Sequence, residues 1–418
     1  MKSNKNLLDA IPFAIAIALS AGFLLCGYEF IRSSSSSIYL EVYGKEKLPY
    51  AMLGGSIFTI IFLYGYGWLI TFIGARRTLL VTSLFSFLVI AGCYLAVQSG
   101  VKISAWILYS FREAYIVVII EQYWSLINSV LKENQAKKFN GPITGVGSLG
   151  AIAGGFAVGY LASKIHTEGL ILLASASLLP SALFSEIAYR LGGEPAPSIE
   201  EKGKKSLAVK LFRDSSYLRR IALLIFLTQI VSTVLDIRFS GLVQDAFPIK
   251  DERTAFFGTF YARLNLTAGV LQFIVAPILL SFVRFRYIHP AIPIIHLISA
   301  TILLIKPSLF TGGLAYLVFK AFDYSIFRAG KEIFYMPLSF DSRYRAKEVI
   351  DAFGYRASKG ISAGLTSLAT VISNFFGYIL LYAVYPITAM VSAVLWLVTV
   401  TTVVRQHDKM INQSEQLK

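Results

Sequence analysis

Charged residues are scarce in this sequence. Of its 418 residues only 15% are charged, whereas 56% are hydrophobic and 14% are aromatic. Soluble domains carry roughly 25% charged residues, so a soluble globular protein is excluded. The chain also has only two cysteines, Cys26 and Cys93, and both lie inside apolar stretches. This placement indicates that the cysteines are small residues buried in the membrane, and that they form neither a disulfide nor a pair of metal ligands.

Motifs of soluble enzymes are also missing. The four histidines are not spaced as metal ligands, and the sequence contains no Walker sequence and no nucleophile elbow. Gly145–Gly150 has the form G-x-G-x-x-G, but it opens an apolar helix without a preceding strand, which argues against dinucleotide binding. Gly150-x-x-x-Gly154 and Gly155-x-x-x-Gly159 instead predict seams where helices pack closely. We therefore expect no enzyme, no cofactor and no metal.

What the sequence does contain is a series of apolar segments of about 20 residues, each long enough to cross a hydrocarbon core of about 30 Å. Because Leu7–Phe23 lacks a small-residue cleavage pattern, we expect no signal peptide. The sequence predicts an all-α polytopic membrane protein with about twelve transmembrane helices. The predicted spans are 9–32, 48–72, 78–98, 104–130, 143–163, 169–189, 221–243, 254–283, 288–305, 310–338, 350–378 and 380–404.

The distribution of the basic residues predicts an orientation. With a cytoplasmic N-terminus, 23 Lys and Arg residues fall in cytoplasmic segments and 7 in outer loops. The positive-inside rule therefore places both termini in the cytoplasm. In a membrane protein the net charge of +15 needs no nucleic acid as a partner, and we expect the lipid bilayer instead.

A polar stretch, Gly192–Leu211, divides the chain almost in the middle. We predict an N-terminal six-helix half at 1–191, a cytoplasmic linker at 192–218 and a C-terminal half at 219–418. A repeat with an offset of 210 residues supports this division. It pairs Ala136-Lys137 with Ala346-Lys347, Gly150 with Gly360 and Gly154 with Gly364. Two related six-helix halves are typical of the major facilitator superfamily, which binds its substrates near the midplane.

Nine cations lie within the predicted spans or at their edges, although a charge at the centre of an isolated membrane helix costs at least about 2.5–3.5 kcal/mol. They are Arg32, Arg112, Arg238, Arg263, Lys320, Arg328, Lys331, Arg356 and Lys359. The carboxylates in the same segments are Glu29, Glu113, Glu121, Asp236, Asp323, Glu332 and Asp351. Such residues should face the bundle interior with partners, or reach the headgroups from a span end. For Arg263, Lys320 and Glu121 both alternatives stay open.

Nine cations against seven acids leave an excess of positive charge, which favours an anionic solute over a sugar or a drug. Alternatively, every one of these cations could be paired with an acid inside the bundle.

Two interpretations also exist for Ser33–Ser37, which follow Arg32 at the end of the first predicted span. They form either a flexible polar helix exit or a hydroxyl-rich mouth with Arg32 reaching the cavity.

A second group of cations lies on either side of the Phe340–Lys347 loop. Lys331 precedes this loop, and Arg356 and Lys359 follow it three residues apart, so that they share one helix face. Together these cations could receive phosphate groups. The acids that could pair with them instead are Glu332, Glu348 and Asp351.

Several motifs match those of a known family. The first half contains, in order, Glu113, Tyr123-Trp124, Asn128, Gln135-Ala136-Lys137-Lys138-Phe139 and the glycine-rich Gly145–Gly159. The second half contains Tyr217-Leu218, Asp236-Ile237-Arg238-Phe239, Phe256-Phe257-Gly258-Thr259-Phe260, Lys331-Glu332-Ile333-Phe334-Tyr335-Met336-Pro337-Leu338, Lys347, Ile350-Asp351 and Lys359. At these residues the sequence resembles the nucleotide transporter family, the ATP/ADP translocases of plastids and obligate intracellular bacteria.

The resemblance implies that the protein binds and exchanges nucleotides across a membrane by alternating access. Glu113 and Asp236 correspond to acidic positions of the family, and Lys331 and Lys359 to basic ones. It also implies a bacterial inner membrane, with a plastid envelope as the alternative, and we expect a monomer. The candidate substrate-binding residues are Arg32, Arg112, Glu113, Asp236, Arg238, Lys331, Glu332, Arg356 and Lys359.

One motif departs from the family. Where the translocases have R-D-T-K-D after the first span, this sequence keeps Arg32 and continues with serines. A changed substrate, either another nucleotide or a different anion, is therefore an alternative. Two further alternatives are a proton-coupled transporter of another organic anion, with Glu113 or Asp236 as the protonated group, and a membrane receptor that does not transport.

Overall fold

The computed structural model of the protein describes residues 8–193, 212–338, 350, 354–376 and 378–416. Every regular element in these ranges is a helix. The helices in chain order are α1 (Ile11–Tyr43), α2 (Leu48–Gln98), α3 (Ile103–Val130), α4 (Glu133–Gly192), α5 (Ser216–Ala246), α6 (Lys250–Val270), α7 (Ala276–Phe282), α8 (Phe285–Ile305), α9 (Leu309–Phe322), α10 (Arg328–Phe334), α11 (Tyr355–Phe376) and α12 (Tyr378–Gln416). π-Helical turns join α6 to α7 and α9 to α10. Most of the predicted linker, the Phe340–Lys347 loop, Glu348 and Asp351 lie outside the described residues.

Eight helices in the described ranges are long and apolar enough to cross a membrane. They are Ile11–Tyr43, Lys45–Gln98, Ile103–Val130, Glu133–Gly192, Ser216–Ala246, Lys250–Phe282, Phe285–Ile305 and Ala383–Gln413. Those at Lys45–Gln98 and Glu133–Gly192 have 54 and 60 residues. At 1.5 Å per residue each would measure about 80–90 Å, far more than one crossing requires.

Both long helices are broken at one residue. Gly74 interrupts α2 with φ 79°, and His166 interrupts α4 with φ 59°. The breaks fall between predicted spans 48–72 and 78–98, and between 143–163 and 169–189, which confirms that each helix has two arms. The total of twelve spans stays a prediction.

A side chain from α6 caps the second arm of α4. The break at His166 leaves the first amide groups of that arm without partners in the helix. Asp251 accepts hydrogen bonds from the Thr167 amide at 2.8 Å and from Thr167 Oγ1 at 2.6 Å, and its other oxygen lies 2.8 Å from His166 Nδ1. Asp251 therefore stabilises a backbone conformation that residues other than glycine rarely adopt.

The glycine seams pack as predicted. A Cβ atom at Gly154 would lie 2.5 Å from the carbonyl oxygen of Cys26 in α1. At Gly155 it would lie 2.8 Å from the carbonyl oxygen of Gly258 in α6. Only glycine permits this approach, and small residues allow membrane helices to pack backbone against backbone. The seams hold α1, α4 and α6 close together.

Close contacts divide the chain into two compact units. Unit 1 comprises Met1–Gly44, Gly54–Pro197 and Phe247–Leu266, and unit 2 comprises Lys45–Leu53, Ser198–Ala246 and Thr267–Lys418. In unit 2, buried Trp396 of α12 packs against the rings of His296, Phe319 and Phe327. The predicted boundaries of the two halves stay a prediction.

We predict that Asp251→Ala lowers the stability of the purified protein. The substitution removes a carboxylate cap, which typically contributes about 1 kcal/mol. The apparent melting temperature in detergent measures the effect. Glu252→Ala is the matched control because this neighbouring side chain is exposed. Equal melting temperatures for the two variants would contradict the assigned role.

Candidate functional site

Ionisable side chains from α1 and α3 meet inside unit 1. Glu29, Arg32 and Arg112 are only 2%, 8% and 4% exposed. Because ions in a membrane protein are costly wherever lipid surrounds them, the helices turn these residues inward. The structure thus brings together three of the predicted site residues, Arg32, Arg112 and Glu113.

Arg112 fastens α3 to α1. Its Nη1 donates to the Arg32 carbonyl at 2.6 Å, to Ser35 Oγ at 2.8 Å and to Ser36 Oγ at 2.6 Å. Its guanidinium carbon lies 3.9 Å from the centre of the Tyr109 ring, and its Nε lies 3.4 Å from Glu113 Oε1. With contacts on several sides, Arg112 acts mainly as a positioning residue for α1.

Arg32 contacts side chains of both α1 and α6. Glu29 Oε1 lies 3.6 Å from its Nη1, so the two side chains form an ion pair. Its guanidinium carbon lies 3.6 Å from the centre of the Tyr261 ring of α6, close enough for a cation–π interaction. Asn265, also on α6, donates to Glu29 Oε1 at 2.9 Å. Arg32 is therefore a buried cation placed between a carboxylate and an aromatic face.

The serine run is part of a buried helix. We predicted that the first span ends at Arg32, and this was wrong because α1 continues to Tyr43 with Ser33–Ser37 all buried. The hydroxyl groups bond back to the preceding turn, as Ser34 Oγ does to Phe30 O at 2.7 Å and Ser35 Oγ to Ile31 O at 2.5 Å. These bonds make serine tolerable in a helix interior. The flexible helix exit is excluded, and Ser35 and Ser36 lie next to Arg112.

Sequence reasoning missed Arg253, which it placed in an outer loop. The side chain is 1% exposed and bonds to Glu41 Oε2 at 2.7 Å and to the Ser37 carbonyl at 2.9 Å. It thereby ties the start of α6 to the end of α1. The signal would have been Glu41, which lies on α1 because this helix extends to Tyr43. The polar serine run made the helix look shorter, so that Glu41 was taken for a loop residue.

The remaining site predictions fall in unit 2. Arg238 and Lys331 are buried, and Lys331 Nζ lies 5.1 Å from the centre of the Tyr355 ring at the start of α11. Lys331 is thus near the helix that carries Arg356 and Lys359, both half-buried. Two further predicted residues are placed less deeply, since Asp236 is half-buried and Glu332 is exposed.

For Lys320 the structure favours a partner inside the protein over a position at the headgroups. Its Nζ donates to Ser232 Oγ at 2.8 Å and lies 5.5 Å from the centre of the Tyr324 ring. Lys320 therefore faces protein and joins the polar residues of unit 2. Arg263 and Glu121 are exposed, which fits a position at a span end.

The cluster of Glu29, Arg32, Arg112 and Glu113 has the chemistry of an anion site. The Arg32 guanidinium can offer paired donors to phosphate or carboxylate oxygens, and the Arg112 guanidinium adds positive charge beside it. Two carboxylates balance their charge, and the Tyr261 ring provides a flat surface beside Arg32. Among the described residues no group of His, Cys, Asp and Glu is arranged to hold a metal ion.

Solved structures with similar folds are transporters. The nucleoside transporter NupG aligns with a TM-score of 0.68 at 11% identity, covering 93% of this chain and 98% of that one. The POT family transporter PepTSo also gives 0.68, at 13% identity, covering 94% and 98%. The D-xylose-proton symporter gives 0.63 at 13% identity, covering 92% and 97%. The protein is a multi-pass membrane protein with the fold of the major facilitator superfamily.

Comparison with known sequences shows which transporters this chain resembles. Residues 280–407 match the family described as TLC ATP/ADP transporter. ADP,ATP carrier protein 3 of Rickettsia bellii is 23% identical over 348 residues, covering 71% of this chain and 69% of that protein. Its counterpart in Rickettsia prowazekii is 22% identical over 350 residues, covering 72% and 70%. The resemblance is confirmed to this extent: the chain is similar to proteins of the nucleotide transporter family.

We predict that the double variant Ser35→Ala and Ser36→Ala is less stable than the wild type. Each hydroxyl accepts from the Arg112 cation, and such bonds contribute about 1.5–3 kcal/mol. The matched control is Ser33→Ala with Ser37→Ala, because these buried hydroxyl groups have no hydrogen-bond partner among the described residues. Apparent melting temperatures in detergent compare the two pairs. A control that loses as much as the test pair would contradict the account.

Proposed function

We propose that this protein exchanges nucleotides, ATP and ADP or closely related phosphorylated anions, across a membrane by alternating access. The observation that carries the proposal is Arg32, a buried guanidinium that lies beside Glu29 and over the Tyr261 ring. A phosphate group offers a stronger, bidentate partner for such a cation. The relation to ADP,ATP carrier proteins supports a nucleotide as the source of that phosphate.

The proposed roles within the cluster follow from the contacts. Arg32 binds phosphate, and Arg112 fixes the α1 backbone and serine hydroxyls beside it. Glu113 balances the charge of Arg112 at 3.4 Å. The Tyr261 ring lies where it could also contact a base, since aromatic faces stack on nucleobases with little sequence preference.

A second set of cations, in unit 2, is also proposed to bind phosphate groups. Buried Lys331 lies near Tyr355, and half-buried Arg356 and Lys359 follow on the same helix. Asp236 and Arg238 on α5, together with Glu332 on α10, complete the proposed charged residues of the C-terminal half. In exchange, the two six-helix halves rock around a midplane site, as in other transporters built from repeats.

We propose the bacterial inner (cytoplasmic) membrane as the location, with both termini in the cytoplasm and a monomer as the functional unit. The excess of basic residues in the predicted cytoplasmic segments supports the orientation. The bacterial origin of the matched ADP,ATP carriers supports the location.

The test is uptake of labelled ATP and ADP into liposomes that contain the purified protein, either preloaded with unlabelled nucleotide or empty. We expect uptake that depends on the preload. Arg32→Gln should reduce the uptake rate about tenfold or more, since loss of a charge-assisted hydrogen bond costs about 1.5–3 kcal/mol. Lys331→Gln and Lys359→Gln should also lower the uptake rate.

Arg263→Gln is the matched control, because it removes an exposed arginine from the helix that carries Tyr261. Uptake by Arg32→Gln at the wild-type rate would refute the assignment of Arg32. Uptake abolished by a proton uncoupler would favour a proton-coupled transporter instead. A folded protein that takes up neither nucleotide, with or without preload, would contradict the proposed function.

A further inference from the structure

The connection between α7 and α8 carries exposed arginines and exposed aromatic rings. α7 ends at Phe282 and α8 begins at Phe285, so only two residues connect the helices. Arg284 lies in this turn and Arg286 in the first turn of α8, and both side chains are exposed. Phe282 is 85% exposed and Tyr287 is 58% exposed. Phe282, Arg284, Arg286 and Tyr287 together form the turn patch.

The two cations of the turn patch have no acidic partner in the part of the chain that the structure describes. Arg286 Nη2 donates to Tyr287 Oη at 2.8 Å, and its guanidinium carbon lies 4.8 Å from the centre of the same ring. No described carboxylate forms an ion pair with Arg284 or Arg286. The sequence has no Asp or Glu at all from residue 253 to residue 322. The turn patch therefore has a strong local excess of positive charge.

Exposed apolar side chains extend from both ends of the turn patch. Ile274 and Ile278 precede Phe282 at intervals of four residues, and both are exposed. Side chains with this spacing lie on one side of a helix. On α8, Ile294 and Ile298 are also exposed, seven and eleven residues after the tyrosine of the patch. In a membrane protein such surfaces contact the acyl chains of lipids.

The turn patch lies where two membrane-crossing helices meet the headgroup layer. The apolar helix Lys250–Phe282 ends at the patch, and the apolar helix Phe285–Ile305 begins there. Arginine side chains at such helix ends reach the headgroups, and tyrosine rings are enriched at the same depth. The predicted orientation places this turn on the cytoplasmic side, where anionic lipids give the membrane surface a negative potential.

We propose that the turn patch is a binding site for an anionic phospholipid. The headgroup phosphate binds to Arg284 and Arg286, and the acyl chains lie along the exposed isoleucines that extend from the patch. A guanidinium group offers paired donors that match phosphate oxygens, which favours a phosphate over other anions. A zwitterionic lipid binds less well, because its own cation is repelled by the two arginines. The proposal does not depend on which solute the protein transports.

The test measures lipid binding to the purified full-length protein by native mass spectrometry, with added phosphatidylglycerol as the probe. The double variant Arg284→Gln and Arg286→Gln should lower the apparent affinity by about 25-fold, since each basic residue near an anionic surface contributes about fivefold. Lys137→Gln with Lys138→Gln is the matched control, because it removes two exposed cations from α4 and changes the net charge equally. The control should bind the lipid as the wild type does.

Further variants test the two kinds of contact separately. Arg284→Lys with Arg286→Lys keeps the charge but removes the paired donors, so its affinity should lie between those of the wild type and the double glutamine variant. Phe282→Ala removes a ring that is almost fully exposed, so it should fold normally and still weaken the binding of phosphatidylglycerol. It provides the test if the double arginine variants do not fold.

Three results would overturn the proposal. The first is a double glutamine variant, or a Phe282→Ala variant where the former does not fold, that binds phosphatidylglycerol as tightly as the wild type. The second is equal affinity of the wild type for phosphatidylcholine. The third is displacement of the lipid by an equal concentration of inorganic phosphate, which would indicate a site for soluble anions. None of these measurements involves transport, so a failure of the proposed function would leave the lipid site to be judged by itself.

Discussion

An ion inside a hydrocarbon layer needs a partner, and this constraint organises the centre of unit 1. Arg112 provides the main solution, since its guanidinium bonds to the Arg32 carbonyl and to two serine hydroxyl groups while it contacts the Tyr109 ring. These contacts fix the backbone of α1 where it carries Arg32. Breaking one partner of a buried ion pair is costly, typically about 3–5 kcal/mol, so the cluster resists piecemeal change. The site therefore depends on α3 as much as on α1.

The glycine seams make this arrangement possible. Because α1, α4 and α6 approach without intervening side chains at Gly154 and Gly155, residues of α6 such as Tyr261 and Asn265 reach the charges of α1. The serine run has a similar effect. Its short side chains bond to their own helix and leave room for the Arg112 side chain. Where the related translocases carry charges after this arginine, the present chain carries hydroxyl groups. This difference leaves Arg32 as the cation that α1 carries.

The sequence predicted much of the fold but less of the site. Apolar runs of membrane length and small-residue motifs are local signals. The sequence alone therefore indicated the helical membrane class, the breaks near Gly74 and His166, and the glycine seams. Arg32, Arg112 and Glu113 could be nominated because charges in apolar segments are rare. The partners could not be predicted, since the pairing of Glu29 with Asn265 joins residues 236 positions apart. Hydropathy also misjudged Ser33–Ser37 and Arg253, because it measures composition and not the bonds that satisfy buried polar groups.

The account rests on the claim that buried cations recognise phosphate groups. Binding of ATP, ADP, AMP and adenosine to the purified protein, measured by calorimetry at one fixed salt concentration, tests it most directly. The account predicts that affinity rises with the number of phosphate groups and that adenosine binds far more weakly than ATP, because charge-assisted bonds to Arg32 supply most of the free energy. Adenosine that binds as tightly as ATP would contradict the claim and would leave the charged cluster as a structural feature only.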